Sequence, residues 1–173
     1  MNVKLWRDGK SVDESLPMQS VRADGSEGNQ FDILPRYFVY GGLVFIPLSR
    51  DYLRALDQNR NDTVTSKLLY ELYYHRPEDP EHARKEPVIL AAVLPHSVNA
   101  GMEVRGRVLV DSINGHRIER LEDVPLAFEK GKQPQDLIVF YPEPHVEALD
   151  HSEVARAQAE ILKTYNVPKD RRL

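Results

Sequence analysis

The stretch RYFVYGGLVFIPLSR, residues 36–50, sets two glycines side by side inside a run that is otherwise apolar or aromatic. Glycine has no side chain to pack and loses the most backbone freedom on folding, so the pair weakens any strand that contains it. Its position between Tyr40 and Leu43 implies that the backbone turns sharply there, or that another group approaches it closely. Pro47 adds a second stop, because proline cannot donate to a ladder and belongs at strand ends or sheet edges. This part of the chain is therefore strand material cut into short lengths.

The same punctuation recurs. Asp8-Gly9 separates two strand-like arms in VKLWRDGKSVDESLPM, which predicts a hairpin. A lone hairpin is marginal in water, so it either packs on the main body or closes a preceding domain, and the second reading is favoured. RADGSEGNQ, polar and rich in glycine, reads as a linker. SKLLYELYYH places Leu68, Leu69, Leu72 and Tyr73 at helical spacing, and the charged, proline-rich RPEDPEHARKEP reads as a solvent loop. VILAAVL, residues 88–94, lies between prolines and predicts a buried strand.

RVLVDSINGHRI predicts a strand closed by an Asn114-Gly115 turn, and DLIVFYP another strand. RLEDVPLAFEKG puts Leu121, Val124 and Phe128 on one helical face, with Pro125 in the first turn and Gly131 as a C-terminal cap. The last pattern, DHSEVARAQAEILKTYNVP, is a helix capped by Asp150 or Ser152. Its apolar stripe is Val154, Ile161, Leu162 and Tyr165, and Asn166 and Pro168 stop it. Strands and helices in this mixture predict an α+β domain.

Chemistry is sparse. A net charge of -4 argues against broad nucleic-acid binding, which needs a basic face. No apolar run approaches the length of a membrane span, and the absence of cysteine excludes disulfides and thiolate metal sites. Ser26, in DGSEG, is followed by Glu27, whose charge would sit where an oxyanion must develop, and Asp24 takes the first glycine position of a nucleophile elbow. The six histidines include no pair at the i, i+4 spacing of a zincin, and YGGLVF lacks the glycine and lysine of a phosphate loop. The expectation is no catalytic residue, no metal ligand and no cofactor.

One long stretch has a recognisable order: VILAAVLPHSVNAGMEVRGRVLVDSINGHRIERLEDVPLAF. It resembles the central run of a PDZ domain of Do-like (Deg, HtrA-type) serine proteases. Pro95-His96-Ser97 stands at the family's PGSPA, Asn99-Ala100-Gly101-Met102 at its helical turn, Ile113-Asn114-Gly115 at INGxxV, and Leu121 to Val124 at the start of the groove helix. RYFVYGGLVFIPLSRDYL and ARAQAEILKTYNVP make the likeness closest to the second PDZ domain of plant-type Deg proteases and their bacterial relatives. Two departures are Val44, in place of a loop glycine, and Arg107, in place of an aspartate.

The resemblance implies a PDZ-like, partly open β-barrel of short strands capped by helices. Residues 1–30 would be a hairpin and linker left from a preceding PDZ domain. Residues 31–173 would be the domain itself, with a helical insertion at 49–87 and an added C-terminal helix at 150–166. It further implies peptide binding: Gly41 and Gly42 turn backbone donors toward a terminal carboxylate. Leu43, Val44, Phe45 and Ile46 then offer a ladder to an added strand, facing a wall of Val124, Ala127 and Phe128. The implied partners are C-terminal or extended peptide segments and other subunits of a homo-oligomer, with neither nucleic acid nor a membrane span. The chain would be a non-catalytic module of a trypsin-like endopeptidase, serving substrate capture, regulation or oligomerisation. The alternative is a purely structural oligomerisation module with a closed groove. The final Arg171-Arg172-Leu173 has the form of a groove ligand, and the expectation is a mobile tail that either touches nothing, the favoured reading, or reaches the groove of a neighbouring copy.

Overall fold

Both residues of the Asp8-Gly9 turn take positive φ, 52° and 74°, the conformation whose twist matches two antiparallel strands joined by a two-residue loop. They join β1 (Asn2–Arg7) to β2 (Lys10–Ser15), with Arg7 opposite Lys10. The computed structural model describes residues 2–15, 33–56 and 63–173. Within them this hairpin is a sheet of its own. Val3 is half-buried and the other residues of both strands are exposed, Trp6 to 77%. The linker reading and Ser26 lie outside the described residues.

The main sheet has eight strands, all paired antiparallel: β3 (Tyr37–Tyr40), β4 (Leu43–Pro47), β5 (Val88–Val93), β6 (Val108–Ile113), β7 (His116–Arg117), β8 (Gln135–Tyr141), β9 (His145–Asp150) and β10 (Arg171–Arg172). Their order is β10-β3-β4-β5-β6-β8-β9, with β7 paired to β6. The two ends, β10 and β9, do not pair with each other, so the sheet stays open. The helices are α1 (Arg50–Leu56), α2 (Thr63–Tyr73), α3 (His75–Glu78), α4 (Asp123–Glu129) and α5 (His151–Thr164). This is an α+β fold.

The unbroken apolar run of β5 has a direct cause. Successive side chains of a strand point to opposite faces. Val88 and Leu90 enter a core that also holds Phe38, Phe45, Val110, Phe128 and Val154. Ile89 enters a second core with Leu48, Leu53, Leu68 and Leu109. The second core is built by α1 and α2, so the insertion between β4 and β5 buries the sheet face that α4 and α5 leave uncovered. Residues 57–62 of the insertion lie outside the description.

Four expectations change in detail. On α2, Leu68 is buried but Leu69 and Tyr73 are exposed; Thr65 and Glu71 join Leu68 on the inner face instead. The charged segment after α2 is not all solvent loop. Arg84 is buried, with its guanidinium 3.9 Å from the centre of the Tyr141 ring and Nη2 2.5 Å from Asp111. Gly131 ends α4 without a left-handed backbone. It is required because a Cβ there would lie 2.6 Å from Asn114 Nδ2 and 2.9 Å from Asp136 Oδ1. The tail is not free, since Arg171 and Arg172 pair with β3 of the same chain.

The α2 face is open to measurement. Leu68→Ala is expected to cost about 2–4 kcal/mol, as for a leucine deleted from a filled core, and Leu69→Ala less than about 1 kcal/mol. Urea midpoints of the two variants check the assignment; equal losses would mean that the helix packs through a different face.

Candidate peptide-binding site

The two central residues of the turn, Gly41 and Gly42, have φ of 56° and 86°, so the pair is a tight hairpin loop between β3 and β4. Close approach also excludes a side chain. A Cβ on Gly42 would lie 2.4 Å from the Leu94 carbonyl oxygen and 2.5 Å from Asn99 Nδ2; one on Gly41 would meet Val154 at 3.0 Å. Turn and close approach, posed by the sequence as alternatives, are both realised.

The Gly41 N–H and the carbonyls of Gly41 and Gly42 are already engaged. Gly41 N–H donates to Gln158 Oε1 at 2.9 Å, and Gln158 Nε2 donates to the Val39 carbonyl at 2.7 Å. Asn99 Nδ2 donates to the carbonyls of Gly41 and Leu94 at 2.8 and 2.9 Å. Leu94 N–H donates to the Gly42 carbonyl at 2.7 Å. The glycine turn is thus stitched to α5 and to the single 3-10 turn at Ser97–Asn99.

The strand that follows is engaged on both edges. β3 pairs with it through Phe38 opposite Phe45, Val39 opposite Val44 and Tyr40 opposite Leu43. β5 pairs along the other side from Leu43 to Pro47. Of the residues expected to offer a ladder, Leu43, Val44 and Phe45 have β3 on that edge, and the β3 pairing stops short of Ile46. Leu43, Phe45, Val124, Ala127 and Phe128 do come together, but as core. Ile46 points to the other face and packs with the second core.

Helix α4 lies against the β3–β4 hairpin. The Phe128 ring stacks on Tyr40 with centres 4.0 Å apart, and reaches Phe45 at 6.0 Å and Phe38 at 6.2 Å. Arg36, just ahead of β3, bridges Glu86 at 2.5 Å and Glu122 at 2.6 Å, tying the strand's start to the beginning of α4. Its other end is held from below by Asp136, which has no solvent exposure. Tyr40 Oη donates to Asp136 Oδ2 at 2.5 Å, Asn114 Nδ2 donates to Oδ1 at 2.8 Å, and His151 Nδ1 lies 2.9 Å from Oδ2. Burial, and then the bond to Asp136, push the Tyr40 phenol well above its ordinary value.

Sequence reasoning missed Tyr40, Asn99, Asp136 and Gln158 as parts of this site. Asp136 carried the one available signal, an acid at the head of an otherwise apolar strand. Among the described residues no cluster of three or more His, Asp or Glu side chains is arranged to hold a metal ion. Among them, too, no helix is long and apolar enough to cross a membrane.

A sheet whose Gly-led hairpin faces a short helix, with a 3-10 turn and an Asn-Gly turn at these places, has the parts of a known family, and a PDZ-domain family model matches residues 27–172. The chain belongs to the PDZ domain family. It is similar to protease Do-like 2, chloroplastic, of Arabidopsis thaliana, 28% identical over 137 residues that make up 79% of this chain and 21% of that protein. It is also similar to protease Do-like 4, mitochondrial, of the same plant, 25% identical over 92% of this chain and 30% of that protein. The chain spans less than a third of the length of the curated relatives it matches. Its homologues are Do-like proteases, and this PDZ domain corresponds to one part of them.

Two outcomes follow from the turn and its anchor. Gly42→Ala is expected to lose about 2 kcal/mol or more from strained backbone and the clash with Leu94, whereas Gly115→Ala, with φ of 78° but open space around it, loses about 1 kcal/mol. Denaturant midpoints compare them. The raised phenol of Tyr40 stabilises the fold fully below the unfolded value near 10, and that contribution is lost as pH rises beyond it, because the unfolded phenol ionises first. Tyr40→Phe should therefore make the decline in stability between about pH 10 and 11 shallower; an unchanged slope in urea titrations would contradict the assignment.

Proposed function

We propose that this PDZ domain is a non-catalytic assembly module of a Do-like, trypsin-like endopeptidase, with the groove beside α4 closed by the chain's own β3. PDZ domains bind peptides by adding a strand to an exposed edge. The observation that supports closure is that β4 is paired by β5 from Leu43 to Pro47 and by β3 from Leu43 to Phe45, while the Gly41 amide donates to Gln158. The names of the relatives support the protease context. In this reading Gly41, Gly42, Leu43, Val44 and Phe45 hold the hairpin, and Val124, Ala127 and Phe128 clamp it. The exposed β1–β2 hairpin fits the closing strands of a neighbouring PDZ domain, with residues 31–173 as the second domain.

The test has two arms. Peptides ending in an apolar residue, titrated to millimolar concentration, should leave the amide resonances of Gly42 to Ile46 unmoved. In a protease that carries this domain, deleting residues 31–173 should lower the number of subunits in the assembly, read by sedimentation, while sparing hydrolysis of a small peptide substrate. Shifts at Gly42 to Ile46 would favour an open groove that captures substrate, and an unchanged number of subunits would remove the assembly role.

A further inference from the structure

The closed groove leaves a different edge in play, one strand further out. β10 lies antiparallel on the outer side of β3, with Arg171 opposite Phe38 and Arg172 opposite Tyr37. Val39 N–H donates to the Asp170 carbonyl at 2.7 Å, and Tyr37 Oη donates to the Lys169 carbonyl at 3.0 Å. Neighbouring side chains of a strand face opposite ways, and the two arginines divide accordingly. The Arg171 guanidinium lies 5.0 Å from the centre of the Phe38 ring and 3.6 Å from the Glu129 carboxylate at the end of α4. That of Arg172 lies 5.5 Å from the centre of the Tyr37 ring and donates to the Pro35 carbonyl at 3.3 Å.

These contacts are selective but lightly held. Only two residues are in register, and the side chains of Arg171 and Glu129 are 40% and 63% exposed, where ion pairs contribute little. β3 by contrast is fixed from its other side by the hairpin, Phe128 and Asp136. A firmly held strand under a weakly held cover is the arrangement of an edge that exchanges its occupant.

We infer that β10 is a displaceable strap on the β3 edge, and that the edge receives an extended segment of a partner protein carrying two adjacent arginines. The Phe38 ring and the Glu129 carboxylate take one guanidinium. The Tyr37 ring and the Pro35 carbonyl take the next, and the backbone of β3 supplies the ladder. This site needs neither an open groove at β4 nor a terminal carboxylate.

An amidated peptide copying residues 167–173 is the probe, titrated by NMR into the intact chain and into one lacking residues 170–173. A tethered strap competes at a local concentration on the order of millimolar. The shortened chain should therefore bind the peptide about tenfold or more tightly than the intact one, with shifts at Tyr37 to Tyr40 and Glu129. Replacing both peptide arginines with glutamine should abolish those shifts. Equal affinity for the two chains overturns the strap, and so does insensitivity to the arginines. Should the shortened chain not fold, amide exchange of the intact chain decides: Val39, bonded to Asp170, should exchange about tenfold or more faster than Leu94, bonded to Gly42. Equal rates would mean that the tail opens only with the whole domain, which also overturns it. A dimer of the intact chain that is lost on deletion would give the edge to a second copy's tail and end the assignment to a partner protein. The peptide readouts lie at Tyr37 to Tyr40 and Glu129 and not at Gly42 to Ile46, so failure here is distinguishable from failure of the closed-groove reading.

Discussion

A carboxylate with no solvent exposure has to be met by donors, because an unpaired buried charge costs more than most single interactions in a domain supply. Asp136 is such a group, and its partners come from separate parts of the chain: Tyr40 at the end of β3, Asn114 in the turn after β6, and His151 at the start of α5. Asn114 also accepts from Leu137 N–H at 2.9 Å and donates to the Ala127 carbonyl at 3.2 Å, which draws the end of α4 into the same node. The position of β3 is thus coupled to the sheet, the groove helix and the C-terminal helix at once. Moving β3 off β4 would unstack Tyr40 from Phe128, break the bonds to Gln158 and leave Asp136 short of a donor. The pairing of β3 with β4 is thus held by the core as well as by the hairpin.

The insertion sets the other limit on what this domain can offer. Both faces of β5 and β6 carry core residues, one beneath α4 and α5 and one beneath α1 and α2. The helices leave the outward side of β8 and β9 uncovered, where Leu137 and Val146 are 43% and 56% exposed. Exposed apolar and aromatic side chains also lie on α2, where Tyr70 is 44% exposed, just past its end at Tyr74, 58% exposed, and on the separate β1–β2 hairpin.

Much of this was readable from residues whose signal is local. The Asp8-Gly9, Gly41-Gly42 and Asn114-Gly115 turns, the face of Leu121, Val124 and Phe128, and the Asp150 cap each depend on a few neighbours, and the structure has them where the pattern puts them. What failed to show was pairing. Nothing in LVFIP says whether its edges are free, because that depends on whether YFVY folds back onto it. β9 was missed because one of its two inward residues is Glu147, whose carboxylate accepts from the N–H groups of Glu103 and Val104 at 2.8 Å, so its alternation does not read as apolar. β10 has two residues, too few for any period. Arg84 read as solvent because its charge is visible in the sequence and its partners, Asp111 and the Ile118 carbonyl, are not.

The two covers on this sheet edge differ in how they are attached, and that difference decides which can exchange. β3 is joined to β4 by two residues, so its local concentration at that edge is as high as a chain can make it and closing the loop costs little entropy. Both its faces meet buried groups, Phe38 and Val39 being 3% and 2% exposed. β10 reaches β3 from the far end of α5, across Asn166 with φ of 53° and Pro168, and buries neither of its arginines fully. Fold membership does not distinguish them, since both are strands of one PDZ sheet; sites lie in local chemistry grafted on the fold. The chemistry here places the core at the first edge and exposed guanidinium contacts at the second.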